Sequence, residues 1–257
     1  MTTVVDNSRS ASVCSVVLKH RAEYIDPGKN LGFGAGVNVA LRPLLGGPAH
    51  DILLLNPDAT VTPDDLETLV DFLHHSDNEQ VSAVSPRLRG DDGEEQRVEW
   101  PFPSPARGWA EAFGLGRLPA RRTFVIGAVL LLRWEALREV GLFDERFFLY
   151  AEEVDWQRRA LGLGWKSQLC DEVVGTHIGA GTGDDPLRRE MLFYAAHETY
   201  IRKWYGSSGW WGYRCAACLG AAGRAAVLRS ERRAAARRRA LLYLRGPRRS
   251  ASLTLEA

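Results

Sequence analysis

Four cysteines in 257 residues (Cys14, Cys170, Cys215, Cys218) are too few and too irregularly spaced for a disulfide framework, and a reducing, cytosolic setting is expected. Cys215-Ala-Ala-Cys218 has the spacing of half a zinc site, but no second Cys or His pair follows it. The first residues, Met1-Thr-Thr-Val-Val-Asp-Asn, lack the basic and apolar regions of a secretory signal, and no apolar run approaches a membrane span. A strong overall charge is also missing: 33 basic residues face 32 acidic ones. That balance hides an asymmetry. From Ser207 onward 11 arginines stand against Glu231 and Glu256, a surplus of nine, whereas the first 206 residues carry 22 basic and 30 acidic groups. With 45% hydrophobic and 25% charged residues the chain has the make-up of a folded globular protein, which excludes disorder and fibrous repeats.

Buried-strand and helix signals alternate along the chain, so the expected class is α/β. Thr2 to Val5 is a β-branched run ending in the polar turn Asp6-Asn7-Ser8, and Ser12 to Leu18 reads as a second strand. Asn30-Leu-Gly-Phe-Gly-Ala-Gly-Val-Asn38 reads as a glycine loop that needs close backbone approach. Asp51 to Leu55 is continuously apolar, as in a strand buried on both faces, and stops at Asn56-Pro57-Asp58. Thr62-Pro63-Asp64-Asp65 opens a helix with an N-cap and first-turn acids, and Leu66, Leu69, Val70 and Leu73 form its apolar stripe. Val81 to Ser85 is a further strand, and residues 87–122 are expected to form loops with one short helix near Trp109 to Phe113. Phe124 to Arg133 is the most apolar segment, interrupted by Gly127. A helix from Trp134 to Val140, a second one opening at Ala151-Glu152-Glu153, and strands over Trp165–Leu169 and Glu172–His177 follow. Then come a glycine loop over Gly179–Gly183 and a long helix, Arg188 to Tyr205, stopped by Gly206. The domain limits expected are 1–206 for the α/β body and 207–257 for a basic helical tail.

Three polar groups can carry chemistry. Asn56-Pro57-Asp58, at the end of a buried strand, is where an open α/β sheet places a ligand; its carboxylate can hold a divalent cation shared with a diphosphate, although the same tripeptide also makes a plain β-turn. Glu152-Glu153-x-Asp155 can supply a general base, or simply place acids at a helix start. His177 in Val174-Gly-Thr-His177 can complete a metal site or act as a structural histidine. Gly32-x-Gly34-x-Gly36 is not the G-x-G-x-x-G of dinucleotide sites, and there is neither a G-x-S-x-G elbow nor a Walker lysine loop.

The order of the pieces narrows the choice. Val4-Val-Asp6-Asn7-Ser8, Asn30 to Asn38, Leu53-Leu-Leu-Asn56-Pro-Asp58, Gly127 to Arg133, Gly141 to Trp156 with its Glu152-Glu153-Val-Asp155, and Val174-x-x-His177 together resemble the family 2 glycosyltransferases, in particular their rhamnosyltransferase-like branch. The resemblance covers roughly residues 3 to 206. It implies a GT-A fold with a mixed central sheet, and an inverting hexosyltransferase that uses Mg²⁺ or Mn²⁺ to move a sugar from a nucleoside diphosphate donor to a hydroxyl acceptor. Position by position, it implies that Asp6 hydrogen-bonds the base, that Asn56-Pro-Asp58 is the Asp-x-Asp metal motif with Asn in first place, and that Asp58 and His177 hold the ion. Glu153 takes the place of the catalytic base, with Glu152 and Asp155 beside it. Asn7, Asn30, Gly32, Gly36 and Asn38 fall in the nucleotide-sugar site, and Gly127 and Ala128 leave room for the sugars. The strand that family members place before Val4-Val-Asp6 has no counterpart here, and an upstream start is expected.

The resemblance leaves the partner open between a dTDP- and a UDP-linked donor, with a glycan or lipid-linked acceptor of cell-surface polysaccharide assembly. The alternative is a catalytically weakened homologue serving as a binding or scaffold subunit. Trp210-Trp211 and the arginine-rich segment to Tyr243 suit the surface of an anionic membrane, which would place the protein on the inner face of the plasma membrane. Nucleic acid is not an expected partner, because the body is acidic and carries no DNA or RNA motif.

Overall fold

The computed structural model describes residues 1–179 and 185–255, with side chains to Ala251. In chain order its elements are β1 (Thr3–Val5), α1 (Ala11–Lys19), β2 (Glu23–Ile25), α2 (Phe33–Leu44), β3 (Ile52–Leu55), β4 (Ala59–Thr60), α3 (Pro63–His74), β5 (Val81–Arg89), β6 (Glu95–Gln96), β7 (Glu99–Pro101), α4 (Pro105–Ala112), β8 (Thr123–Val125), β9 (Val129–Leu132), α5 (Trp134–Val140), α6 (Glu152–Gly162), β10 (Lys166–His177), α7 (Pro186–Val227), α8 (Ser230–Arg245) and α9 (Pro247–Leu255). They fall into two compact units, one of Met1–Trp100 with Thr123–Thr182, the other of Pro101–Arg122 with Gly183–Ala257.

The first unit is α/β. Its main sheet has the order β3-β9-β5-β10-β4, with β6 added to β5. β9 runs antiparallel to both β3 and β5, whereas β10 is parallel to β5, so the sheet is mixed. Val129 to Leu132 are all buried because β9 is an inner strand, which explains its unbroken apolar run. Leu69 and Leu73 of α3 and Leu137 of α5 pack with it and with Val81, Ala83, Val84 and Leu88 of β5. Each such side chain contributes about 2 kcal/mol of burial free energy. Arg133 crosses this core and is satisfied by three carbonyls, those of Val81, Asn78 and Leu73. The α3 start forms as expected: Thr62 accepts from the Asp65 N–H at 3.1 Å and Asp65 returns the bond to the Thr62 N–H at 2.9 Å.

β1 and β2 form a parallel sheet of their own. This corrects the strand expected over Ser12–Leu18, which is the helix α1. Parallel neighbours need a crossover, and a helix supplies it even where Val13, Val16 and Val17 favour a strand. The loop expected over Asn30–Asn38 is likewise mostly helix, since α2 begins at Phe33. The strand at Val81 extends to Arg89, and the two strands expected after Trp165 are one, β10, with a bulge between Cys170 and Val174. The glycine loop expected over Gly179–Gly183 lies, beyond Gly179, outside the described residues.

The second unit is helical. Gly206, at φ +67°, is non-helical and ends the helix that begins at Pro186, as expected; a second helix continues α7 to Val227. The stretches before and after Gly206 belong to the same unit. Helix α4 packs on the part of α7 that follows Gly206: Gly108 lies against the Tyr213 ring, and a Cβ on Gly220 would stand 2.9 Å from Ala112 Cα. Among the described residues no helix is long and apolar enough to cross a membrane.

Candidate active site

Helix α6 carries the acidic motif, and its entry is strained: Tyr150 and Ala151 both have left-handed backbones, at φ +68° and +66°. The turn sets Glu152 and Glu153 on the first helical positions. Glu152 is buried, its Oε2 finds no hydrogen-bond partner, and a Cβ on Gly34 would stand 3.2 Å from its own Cβ. Burial, and after it the neighbouring Glu153, holds its carboxyl well above the ordinary range. Glu153 is half-buried against Gly127, and burial raises its pKa too. A carboxylate with a raised pKa is a stronger base than an ordinary one, which suits proton removal near neutral pH.

The rest of the motif is scaffold. Asp155 is fully buried and paired with Arg159 at 3.1 Å, and Arg159 donates to the carbonyls of Val140 and Leu142 at 2.6 and 2.7 Å. The Trp156 indole donates to the Gly141 carbonyl at 2.8 Å. Gln157 bonds both main-chain groups of Val125, accepting at 2.9 Å and donating at 2.8 Å. These bonds fix the rotation of α6 about its axis. Asp155 is thus held by Arg159 inside the protein, while Glu153 is half-buried.

The three glycines of the Gly32–Gly36 segment each allow a different approach. At Gly32, φ is +82° and a Cβ would lie 2.0 Å from the Phe148 carbonyl oxygen; at Gly34 the neighbour is Glu152; at Gly36 it is the Asn7 amide, at 3.1 Å. Asn7 donates to the Gly32 carbonyl at 2.9 Å and accepts from the Leu31 N–H at 3.1 Å. Asn30 accepts from the Gly32 N–H at 2.9 Å. Asn38, buried, exchanges 2.9 Å bonds with both main-chain groups of Phe143. Asp6 is buried and accepts from Ser8 N–H and Oγ–H on one oxygen and from Ser10 N–H and Tyr24 O–H on the other. Burial would raise its pKa, but these bonds outweigh it and hold the carboxyl below its ordinary value. All four acceptor positions of Asp6 are then used within the chain, so the base-binding role implied for it requires one of those bonds to open.

The third cluster lies where β4 meets the end of β10. His177 pairs in register with Ala59, and Ile178 N–H donates to the Asp58 carbonyl at 3.0 Å. The His177 Nε2 stands 3.7 Å from Asp58 Oδ1. Asn56 Oδ1 is buried with no hydrogen-bond partner, and the Asn56 N–H donates to the Ala128 carbonyl at 2.9 Å. Gly127 and Ala128 are therefore the link: one touches Glu153, and the next holds the strand end that carries Asp58. Among the described residues no group of three or more His, Cys, Asp or Glu side chains gathers for a metal. Gln96, Gln157 and Arg159 were not singled out by the sequence. The last two follow the acidic motif on α6; Gln96 gives no local signal.

No model of a protein family matches the chain. An N-acetylglucosaminyl-diphospho-decaprenol L-rhamnosyltransferase of Mycobacterium tuberculosis (strain CDC 1551 / Oshkosh) is 32% identical over 212 residues, covering 72% of this chain and 67% of that protein. The chain belongs to the rhamnosyltransferase-like family 2 glycosyltransferases. The low-salt glycan biosynthesis hexosyltransferase Agl10 of Haloferax volcanii is 28% identical over 182 residues, which is 68% of this chain and 57% of that one. Among solved structures, the mannosyltransferase PcManGT of Pyrobaculum calidifontis, in complex with GDP-Man and Mn²⁺, superposes with a TM-score of 0.54 at 17% identity, covering 96% of this glycosyltransferase and 72% of that chain. GalNAc-T7 with UDP, GalNAc and Mn²⁺ gives 0.52 at 11% identity, over 95% and 49%. The fold is GT-A.

Proposed function

We propose that this glycosyltransferase is an inverting enzyme that transfers a hexose, rhamnose by preference, from a dTDP- or UDP-linked donor to a hydroxyl of a lipid-linked or glycan acceptor in cell-surface polysaccharide assembly. The observation that carries this reading is the short path Glu153–Gly127–Ala128–Asn56–Asp58, which sets a raised-pKa carboxylate and a metal-type cluster on either side of one strand break. The rhamnosyl donor class and the lipid-linked acceptor are supported by the name of the mycobacterial relative.

The residues present fit a divalent ion, Mg²⁺ or Mn²⁺. Asp58 supplies a carboxylate, His177 a ring nitrogen, and the orphaned Asn56 Oδ1 marks a buried acceptor without a donor. Adjacent ligands on such an ion stand about 3 Å apart, so the 3.7 Å between Asp58 and His177 needs only a small closure. When bound, the ion neutralises charge on a departing diphosphate. Glu153 takes the proton of the acceptor hydroxyl as its oxygen bonds to the anomeric carbon and the bond from that carbon to the diphosphate breaks, which inverts the centre. Burial favours the neutral form of Glu152, which lessens the negative charge set against Glu153.

The arginine-rich unit supports contact with an anionic membrane on its cytoplasmic face. Trp211, Leu241 and Leu244 are exposed, and Arg214 stacks over Trp211 at 4.8 Å while donating to the carbonyls of Tyr243 and Leu244. Flotation with anionic vesicles checks this. The parent should float, and Trp211→Ser with Leu244→Ser should not; equal flotation removes the membrane part of the reading.

The deciding experiment is calorimetric titration with UDP and with dTDP, with and without Mn²⁺, on the parent and on Asp58→Ala. Metal-dependent binding that is lost in the variant supports the donor site and names the base. Absence of binding to the folded parent speaks for a scaffold subunit instead.

A further inference from the structure

Gln96 lies in the two-residue strand β6, outside every motif, yet its amide makes both of its bonds to one residue. Its Nε2 donates to the His177 carbonyl at 2.6 Å, and its Oε1 lies 2.9 Å from His177 Nδ1. The two contacts fix each other. A carbonyl only accepts, so the amide nitrogen must face it; turning the amide over would set oxygen against oxygen. The amide oxygen then faces Nδ1, and because it too only accepts, Nδ1 must carry the ring proton. A neutral imidazole has one such proton, so Nε2 keeps its lone pair. Nε2 is the atom that faces Asp58 Oδ1, at 3.7 Å.

This is the opposite of what a structural histidine would want. A His177 present only to pack would carry its proton on Nε2 and give it to the carboxylate. In the neutral ring Gln96 opposes that tautomer and turns the Nε2 lone pair to the Asp58 side, the form in which a histidine binds a metal ion. We propose that Gln96 is a positioning residue that locks the Nδ1–H tautomer and the ring plane of His177, so that Nε2 is presented, with Asp58, to the divalent ion. The tautomer follows from Gln96 and His177 alone; the ion rests on the reading given under Proposed function.

The test pairs a spectroscopic measurement with metal affinity on the full chain. Ring ¹⁵N shifts of His177, assigned by comparison with His177→Ala and recorded at about pH 8, above the ordinary imidazole range, read the tautomer directly. The parent should show a protonated Nδ1 and a lone-pair Nε2. Gln96→Leu should lose that preference and weaken Mn²⁺ binding about 10- to 100-fold, followed by electron paramagnetic resonance of the free ion. Gln96→Glu, whose carboxylate still accepts the Nδ1 proton but sets its second oxygen against the His177 carbonyl, should restore the tautomer and only part of the affinity. In the His177→Ala background Gln96→Leu should cost nothing further. An unchanged tautomer in Gln96→Leu overturns the proposal while a His177-dependent Mn²⁺ affinity leaves the metal reading standing. Mn²⁺ affinity indifferent to His177→Ala overturns both. A loss in Gln96→Leu that persists without His177 would mean general structural damage, and overturns the positioning role.

Discussion

Gly32 and Phe148 are in backbone contact: the N–H after Gly32, that of Phe33, donates to the Phe148 carbonyl at 2.8 Å, and a Cβ on Gly32 would sit 2.0 Å from the same oxygen. The contact ties the start of α2 to the residues that lead into the strained entry of α6. The position of the carboxylate pair is thus set partly by a residue more than 100 places earlier in the chain.

Substituting Gly32→Ala should therefore destabilise the protein by about 3 kcal/mol or more, because a forbidden φ is added to a collision with main chain. Gly28→Ala is the matched comparison, since Gly28 has φ +79° and open space around it. That variant should lose only about 1 kcal/mol. Denaturant unfolding of the two variants gives the difference that belongs to Phe148.

Replacing Glu153 by Gln should reduce sugar transfer about 100- to 10,000-fold without lowering the melting temperature. A base must be deprotonated to act, and burial raises the Glu153 pKa. The rate of the parent should thus fall as pH drops through a value above the ordinary carboxylate range of about 4.3, and this limb should vanish from the residual rate of Glu153→Gln. A pH–rate profile of both proteins checks it.

Glu152 should limit stability rather than provide it. Its folded pKa is raised, so the folded state holds the proton over a window in which the unfolded chain has released it, and stability falls as pH rises from about 4.3 through the raised value. Each unit of separation is worth about 1.4 kcal/mol. Glu152→Gln removes the titration while keeping the shape, and its melting temperature should exceed that of the parent at neutral pH but not at about pH 4. Calorimetry across that range decides.

In the helical unit His197 acts with the other sign. It lies between Phe193 and Tyr213, with ring centroids 5.6 and 5.2 Å away, and burial pushes its pKa from 6.5 down to about 4. The unfolded chain binds this proton first on acidification. Stability from the neutral ring is complete above 6.5 and is lost as pH falls to about 4, by about 3 kcal/mol in all. His197→Phe should flatten the acid limb of a melting-temperature profile.

What the sequence made legible was local. The α3 cap is written in Thr62, Pro63 and Asp65, three neighbours, and the apolar run of β9 follows from burial on both faces, whereas β3, expected to be buried likewise, is the end strand and leaves Leu55 exposed. The acidic motif and Asn56-Pro-Asp58 were readable for the same reason, because each is a contiguous segment. What was hidden depends on partners far along the chain. Val13, Val16 and Val17 favour a strand until β2 returns parallel to β1 and requires a crossover helix. Gly34 and Gly36 suggest a loop until Glu152 and Asn7 arrive to fill the space where their side chains would be. Asn7, Asn30 and Asn38 fall in the nucleotide-sugar site by resemblance to the family; the bonds their amides make within the chain were not legible. Gln96 and His177 are 81 positions apart, and no pattern in either segment announces the other.

The separation of β1 and β2 from the main sheet has a consequence for handling the protein. β3 closes one end of the six-stranded order, and Ile52 to Leu55 offer no proline and no charge along it, with Leu55 47% exposed. A strand at the end of a sheet can pair with another chain. Concentrated solutions should therefore associate edge to edge through β3, and a lysine in place of Leu55 is the change that should keep the molecules apart.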